Sequence, residues 1–272
     1  MKRLLLVTMG TASFLLSSAQ VPIDEAHFPD DFFRDYVSQH FDADEDVQLD
    51  DEEIRAVVQM DLTTRYFSKC TSLKGLEFFV YLQDLELGTS GRLKELDVSA
   101  NVNLERLSCR SIKIQELDLR QNRKLEFLQL TSLSELSSLA LDCPKLDTLI
   151  LSSLPLGTLD VSASYVECSK CELAALDLKH CAGLKVLDCS ENSLKTLDLN
   201  DKGQLESFKG DGQKAVSVSP VDGWLDLSTL SGFDASRSYD WEGVFRYGDS
   251  IVFDQTHPIK DYALAKYKYK TG

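Results

Sequence analysis

Beyond its first twenty residues, this 272-residue sequence has no apolar run of the ~20 residues needed to cross a bilayer. Positive charge is in short supply: 29 lysines and arginines face 44 aspartates and glutamates, for a net charge of −15. That balance keeps the chain soluble and repels nucleic acid and anionic membrane surfaces. Histidine is scarce, with only His27, His40, His180 and His257. None falls beside a Ser, Cys or carboxylate partner in the register developed below, so no catalytic triad or dyad is expected. Cysteine is present seven times, an odd number that leaves at least one thiol unpaired. A disulfide-stapled secreted domain is usually much smaller than this chain.

The N-terminus has the form of an export signal. Lys2 and Arg3 precede the apolar stretch Leu4 to Leu16, and Ser17-Ser18-Ala19 supplies the small side chains read by a signal peptidase. Cleavage after Ala19 removes two positive charges and takes the net charge from −15 to −17. No cysteine follows that position, so a lipid anchor is not expected. No wall-anchoring motif is present, and the expectation is release or retention by a partner.

The dominant signal is a repeat. The unit Leu-x-x-Leu-x-apolar recurs as Leu82-Leu85-Leu87, Leu104-Leu107-Cys109, Leu125-Leu128-Leu130, Leu146-Leu149-Leu151 and Leu184-Leu187-Cys189. A second set interleaves with it: Leu93-Leu96-Val98, Ile114-Leu117-Leu119, Leu136-Leu139-Leu141, Leu156-Leu159-Val161, Leu173-Leu176-Leu178 and Leu194-Leu197-Leu199. The period is about 21 residues, the length of one short solenoid coil. One coil is four residues short after Val161, and Tyr165-Val166-Glu167-Cys168 takes the vacant slot. Leu205 and Phe208 open a further coil. Alternate residues of a strand face opposite sides, so each Leu-x-Leu sends two side chains inward and one outward. A coil this short cannot bury its own apolar edge, and stacked neighbours close the core.

Half-repeats such as Leu93-Lys-Glu-Leu-Asp-Val-Ser-Ala-Asn and Leu184-Lys-Val-Leu-Asp-Cys-Ser-Glu-Asn resemble the short bacterial leucine-rich repeats of internalin-like and Bacteroides-type surface proteins. Leu73 to Leu82 is similar to the entry into the first repeat of that family, and Asp226 to Ser236 to its exit segment. The resemblance implies a secreted or surface interaction protein and no particular ligand. The chain departs from the family at the bends. Asn101 and Asn122 keep one buried column, which Cys143 and Cys181 then occupy. In the other column only Asn192 remains, against Ile112, Leu133, Leu154 and Cys171. Those bends are expected to use water or backbone pairing.

Ahead of the repeats, Phe33, Tyr36, Val37 and Phe41 fall at helical spacing, as do Ile54, Val57 and Val58. Between them lie Asp42, Asp44, Asp46, Gln48, Asp50 and Glu53 at the ligand spacing of an EF-hand calcium loop. Val47 stands where that loop needs Gly, a strained position for a β-branched residue. Two readings stay open: one structural calcium ion, or a helix-loop-helix cap that holds no ion.

Other constellations read as structure. Cys168, Cys171, Cys181 and Cys189 sit at core positions of the repeat and are expected as free thiols; Cys168 and Cys189 are one coil apart and can approach. Asp97, Asp118, Asp160, Asp177 and Asp198 recur at an outward position and are expected to accept hydrogen bonds from the following turn.

The expected fold is an α/β solenoid: a right-handed leucine-rich repeat with short 21-residue coils, an N-terminal helical EF-hand-like cap and a C-terminal β-rich cap. The expected division is a signal peptide at 1–19, the helix-loop-helix cap at 20–72, repeats at 73–218 and the C-terminal cap at 219–272. No catalysis is expected. The expected function is a secreted or cell-surface module that presents a concave face to an extracellular protein or glycan. The alternative is a glycan- or peptide-handling accessory subunit or inhibitor of a secreted enzyme. Phe127, Gln129, Thr148, Ile150, Tyr165 and Val186, outward on successive coils, are the expected ligand-binding residues.

Overall fold

The computed structural model describes residues 20–194, 197–199 and 202–213, and the backbone of five strands between 224 and 269. The expected export signal lies outside the described residues. Eight parallel strands, one per coil, form the principal sheet: Gln59–Leu62, Asp84–Leu87, Arg106–Arg110, Phe127–Thr131, Thr148–Ser152, Tyr165–Ser169, Val186–Asp188 and Ser207–Lys209. Together they make a right-handed solenoid with a repeat of about 21 residues. Its first strand belongs to the stretch read from sequence as cap. Gln59–Leu62 has no Leu-x-x-Leu signature, yet Met60 and Leu62 pair with Leu85 and Leu87 and are fully buried.

Register is kept from coil to coil. Leu85 pairs with Leu107, Leu107 with Leu128, Leu128 with Leu149, Leu149 with Val166, and Val166 with Leu187. All six of these side chains are buried. The α-helices among the described residues lie ahead of the first sheet strand, and short 3-10 helices at Arg65–Lys69 and Leu76–Phe78 follow it. The far side of the coils carries short parallel strands, pairing Glu116–Asp118 with Ser138–Ala140 and Thr158–Asp160 with Ala175–Asp177. No ladder joins these two pairs among the described residues. The break falls at the coil that is four residues short.

Five successive coils turn their first corner through a left-handed residue. Ser111, Ser132, Ser153, Lys170 and Glu191 have φ of 51°, 59°, 61°, 57° and 53°. The conformation costs roughly 1–2 kcal/mol for an L-residue. It is held because each N–H donates to a carbonyl one coil on: Ser111 to Thr131, Ser132 to Ser152, Ser153 to Ser169, Lys170 to Ser190 and Glu191 to Asp211.

The buried bend columns satisfy backbone groups in three ways. Asn101 donates to the Leu76 and Phe79 carbonyls, and Asn122 to those of Val98 and Asn101. Cys143 and Cys181 replace the amide with thiol donors, to the Leu119 carbonyl at 3.5 Å and the Val161 carbonyl at 3.1 Å. Where Leu154 holds the other column, backbones pair directly, Leu154 N–H to Lys170 O and Leu156 N–H to Cys171 O. Gln213 then takes the place after Asn192, accepting from Leu194 N–H and donating to the Cys189 and Gly210 carbonyls.

The N-terminal end is closed by helix α1 (Asp31–Phe41). Asp30 caps it by accepting from Phe33 N–H, and Phe33 and Val37 are its buried face. Phe28 and Phe33 meet edge to face, and Phe41 packs on Phe79 at 5.3 Å. Toward the C-terminus of the chain, Trp224–Asp226 and Val244–Tyr247 flank Ser250–Phe253 in an antiparallel sheet, and Ser238–Glu242 pairs with Lys266–Tyr269.

Candidate functional site

The outward residues of the principal sheet align in two columns. One runs Gln59, Asp84, Arg106, Phe127, Thr148, Tyr165, Val186, Ser207. The other runs Asp61, Glu86, Ser108, Gln129, Ile150, Glu167, Asp188, Lys209. The six residues singled out from sequence therefore share one face: Phe127, Thr148, Tyr165 and Val186 in the first column, Gln129 and Ile150 in the second. All six are half-buried, so their neighbours hold them while one side stays open. Adjacent coils are ~4.8 Å apart, close enough for side chains in a column to touch.

The polar groups on this face are organised around the rings. The Arg106 guanidinium carbon lies 4.1 Å from the Phe127 ring centroid, and its Nε is 3.6 Å from Asp84. The Tyr165 hydroxyl donates to Glu167, which raises the phenol pKa. Asp188 accepts from Ser190 N–H and Oγ–H and lies 3.4 Å from Lys209 Nζ. Burial works to raise the Asp188 pKa, but those donors and Lys209 outweigh it and hold the carboxyl below its usual range. Burial, with Asp61 nearby, raises Asp84 against the pull of Arg106.

One row was not singled out from sequence. Glu105, Glu126 and Asp147, all exposed, enter three successive strands, and each carbonyl accepts from the two residues that enter the next strand. Their signal was the residue after the first Leu of each unit, which periodicity alone marks only as outward.

The acidic loop gathers three of its six expected ligands. One oxygen from each of Asp42, Asp44 and Asp46 lies within 4.8 Å of the others. Val47 adopts φ 66°, the left-handed conformation that an EF-hand loop requires at that point. The turn is stabilised by Asp42, which accepts from Asp46 N–H and Val47 N–H. The remaining three are engaged by the backbone. Asp50 caps helix α2 (Asp51–Ala56), Glu53 accepts from Ala43 N–H and Asp50 N–H, and Gln48 pairs with Pro22. Hard carboxylate oxygens grouped in this way suit a divalent cation such as calcium.

All seven cysteines are free and buried. Burial pushes the Cys171 and Cys189 thiols up to about 12, so they are neutral and unreactive. Three members of the recurrent Asp column accept from the turn: Asp97 from Ser99 N–H, Asp118 from Arg120 N–H and Asp177 from Lys179 N–H. Two clefts lie off the sheet face. One of about 490 Å³ opens at the short coil, lined by Leu141, Leu146, Val161, Asp142, Asp160 and His180. Another of about 730 Å³ runs between α1 and the 3-10 turn Arg65–Lys69, with Tyr36, Tyr66 and Asp35 on its walls.

No protein-family model matches the sequence, and comparison with curated proteins gives no significant match. Solved structures do resemble it. The functional domain of InlJ from Listeria monocytogenes, which includes a cysteine ladder, aligns with 74% of this chain at 22% identity and a TM-score of 0.51. The aligned region spans 50% of that chain. A second Listeria monocytogenes internalin, InlF, aligns with 76% of this chain at 16% identity and a TM-score of 0.36. A leucine-rich repeat protein of Leptospira interrogans aligns with 60% at 17% identity and a TM-score of 0.33. At 22% identity the likeness to the InlJ domain is one of fold, a solenoid of leucine-rich-repeat type.

Proposed function

We propose that this chain is an exported, non-catalytic binding module whose principal sheet face recognises an extracellular protein. The supporting observation is the half-buried apolar group Phe127, Ile150, Tyr165 and Val186, held in register on a rigid sheet and bordered by charge. Aromatics at the centre of a polar rim have the make-up of an energetic hot spot. Replacing Phe127 and Tyr165 together by Ala should weaken binding to extracellular partners by about a thousandfold, from roughly 2 kcal/mol for each hot-spot ring. Both side chains point outward, so the melting temperature should barely change. Undiminished binding by the folded double variant would overturn the assignment.

The Asp42, Asp44 and Asp46 group is proposed as a structural calcium site that steadies the entry to α2. The three grouped carboxylates and the left-handed Val47 support this reading. Calcium at millimolar concentration should raise the melting temperature by mass action. Asp42→Asn with Asp44→Asn should remove that rise. No calorimetric binding at this concentration would leave the loop as a cap without an ion.

A further inference from the structure

We infer that the sheet face takes a cationic polypeptide segment, with an arginine or lysine received at Tyr165, Glu167 and Asp188 and an apolar side chain on Phe127 and Ile150. This rests on the reading of that face as the recognition surface.

The face already shows how it holds a cation. Arg106 sits over the Phe127 ring at 4.1 Å and within 3.6 Å of Asp84, with the ring on the coil after it and the carboxylate on the coil before. Further along the same columns, Tyr165, Glu167 and Asp188 repeat those residue types. Tyr165 and Glu167 share a strand, and Glu167 pairs with Asp188 on the next coil. The Tyr165 hydroxyl anchors Glu167, and the Ser190 amide and hydroxyl anchor Asp188, so both carboxylates are oriented before a ligand arrives. Lys209 approaches Asp188 from the C-terminal side. On the opposite side Glu167 is bordered by uncharged Ile150. A cation stacked on an aromatic ring gains more once water is excluded, as the flanking Ile150 and Val186 would do.

The surroundings select the same charge. Glu105, Glu126 and Asp147 form an acidic edge along the three coils that enter the patch, and the whole chain carries −15. Such a field steers basic partners inward and turns acidic ones away. An extended segment places side chains i and i+2 about 6.6 Å apart, between one and two coil spacings. A basic residue at i and an apolar one at i+2, on the same side of the segment, therefore match the cluster and the patch together.

The test uses the mature chain and two labelled octapeptides, one repeating Arg-Ser-Phe-Ser and the other Glu-Ser-Phe-Ser, so that charge and ring share a side, read by fluorescence anisotropy. The arginine peptide should bind at least about tenfold tighter than the glutamate peptide and weaken severalfold as salt rises from about 50 to 300 mM. Glu167→Gln with Asp188→Asn keeps the hydrogen-bond acceptors and removes the charge, and should cost about tenfold for the arginine peptide alone. Glu116→Gln, on the far side of the coil, should leave binding unchanged. Equal affinity for the two peptides, no binding of the arginine peptide, or no loss in the Glu167/Asp188 variant would overturn the inference. If Phe127→Ala with Tyr165→Ala abolishes binding of both peptides while the charge variant changes neither, the face binds but does not select cations. If the ring variant leaves binding intact, the recognition face itself is misplaced.

Discussion

Asn192 offers the sharpest test of how the coils are held together. Its side chain is fully buried and bonds two coils at once. Oδ1 accepts from Cys171 N–H at 2.9 Å and Leu173 N–H at 3.1 Å. Nδ2 donates to the carbonyls of Cys168 at 2.7 Å and Cys189 at 2.9 Å. Asn192→Leu keeps the heavy-atom count and branching of the side chain and matches the residue that holds this column at Leu154 and Leu133. It removes the acceptor for both amides, and each buried N–H left without a partner costs about 1–3 kcal/mol. The loss is then about 2–6 kcal/mol, with the carbonyls adding less because each has a second lone pair. Cys171 is tolerated in the same column because the amides of the preceding coil, Leu154 N–H and Leu156 N–H, reach the Lys170 and Cys171 carbonyls directly. Solenoid coils open locally, so amide hydrogen exchange is a better readout than a global melt. At about 1.4 kcal/mol per tenfold, the lower bound accelerates exchange at Cys171 and Leu173 by about 30-fold. Exchange within about threefold of wild type at both amides would refute the argument that this column is closed by Asn192.

Two further outcomes follow from the core and the N-terminal cap. Leu128 is fully buried in the middle of the principal sheet, and Leu128→Ala should cost about 2–5 kcal/mol by urea denaturation. Burial works to raise the Asp30 pKa, but the Thr71 amide and hydroxyl and the Phe33 amide outweigh it and leave it below the ordinary aspartate value of 3.8. A carboxyl lowered by folding contributes stability that is present above 3.8 and lost as pH falls through the folded value. Asp30→Ala should therefore destabilise by about 1–3 kcal/mol at pH 7, from the lost cap and charged acceptor. Its deficit should shrink as the pH falls below 3.8, and a deficit that stays constant to low pH would show that the carboxylate charge is not what acts.

The outward columns of the sheet could be read from the chain because two periods overlap. Side chains alternate every second residue within a strand, and strands recur about every 21 residues, so inward Leu107 and Leu128 place Arg106 and Phe127 beside each other. The same reasoning located the acidic loop, whose ligand spacing is local. It did not find Gln59–Leu62 as the first strand, because that segment has no leucine signature and joins the sheet only by pairing with Asp84–Leu87. Nor did it show Gln213 taking the position after Asn192, since a glutamine reads as a surface residue until a neighbouring coil surrounds it.

What the sequence by itself determined is the face each side chain takes, because sterics and burial act on residues close along the chain. Tertiary structure alone decided which groups those side chains meet. Glu53 had the spacing of a calcium ligand, but the fold brings its carboxylate to the amides of Ala43 and Asp50. Ser111, Ser132 and Ser153 carry no sequence mark of left-handed backbone, and they accept its strain because a carbonyl of the next coil, about 20 residues on, receives each amide. Arg106 and Phe127 are 21 positions apart and become a cation and its aromatic platform only when the coils stack. These pairings depend on distances through space, which are set by the whole stack and not by any one repeat.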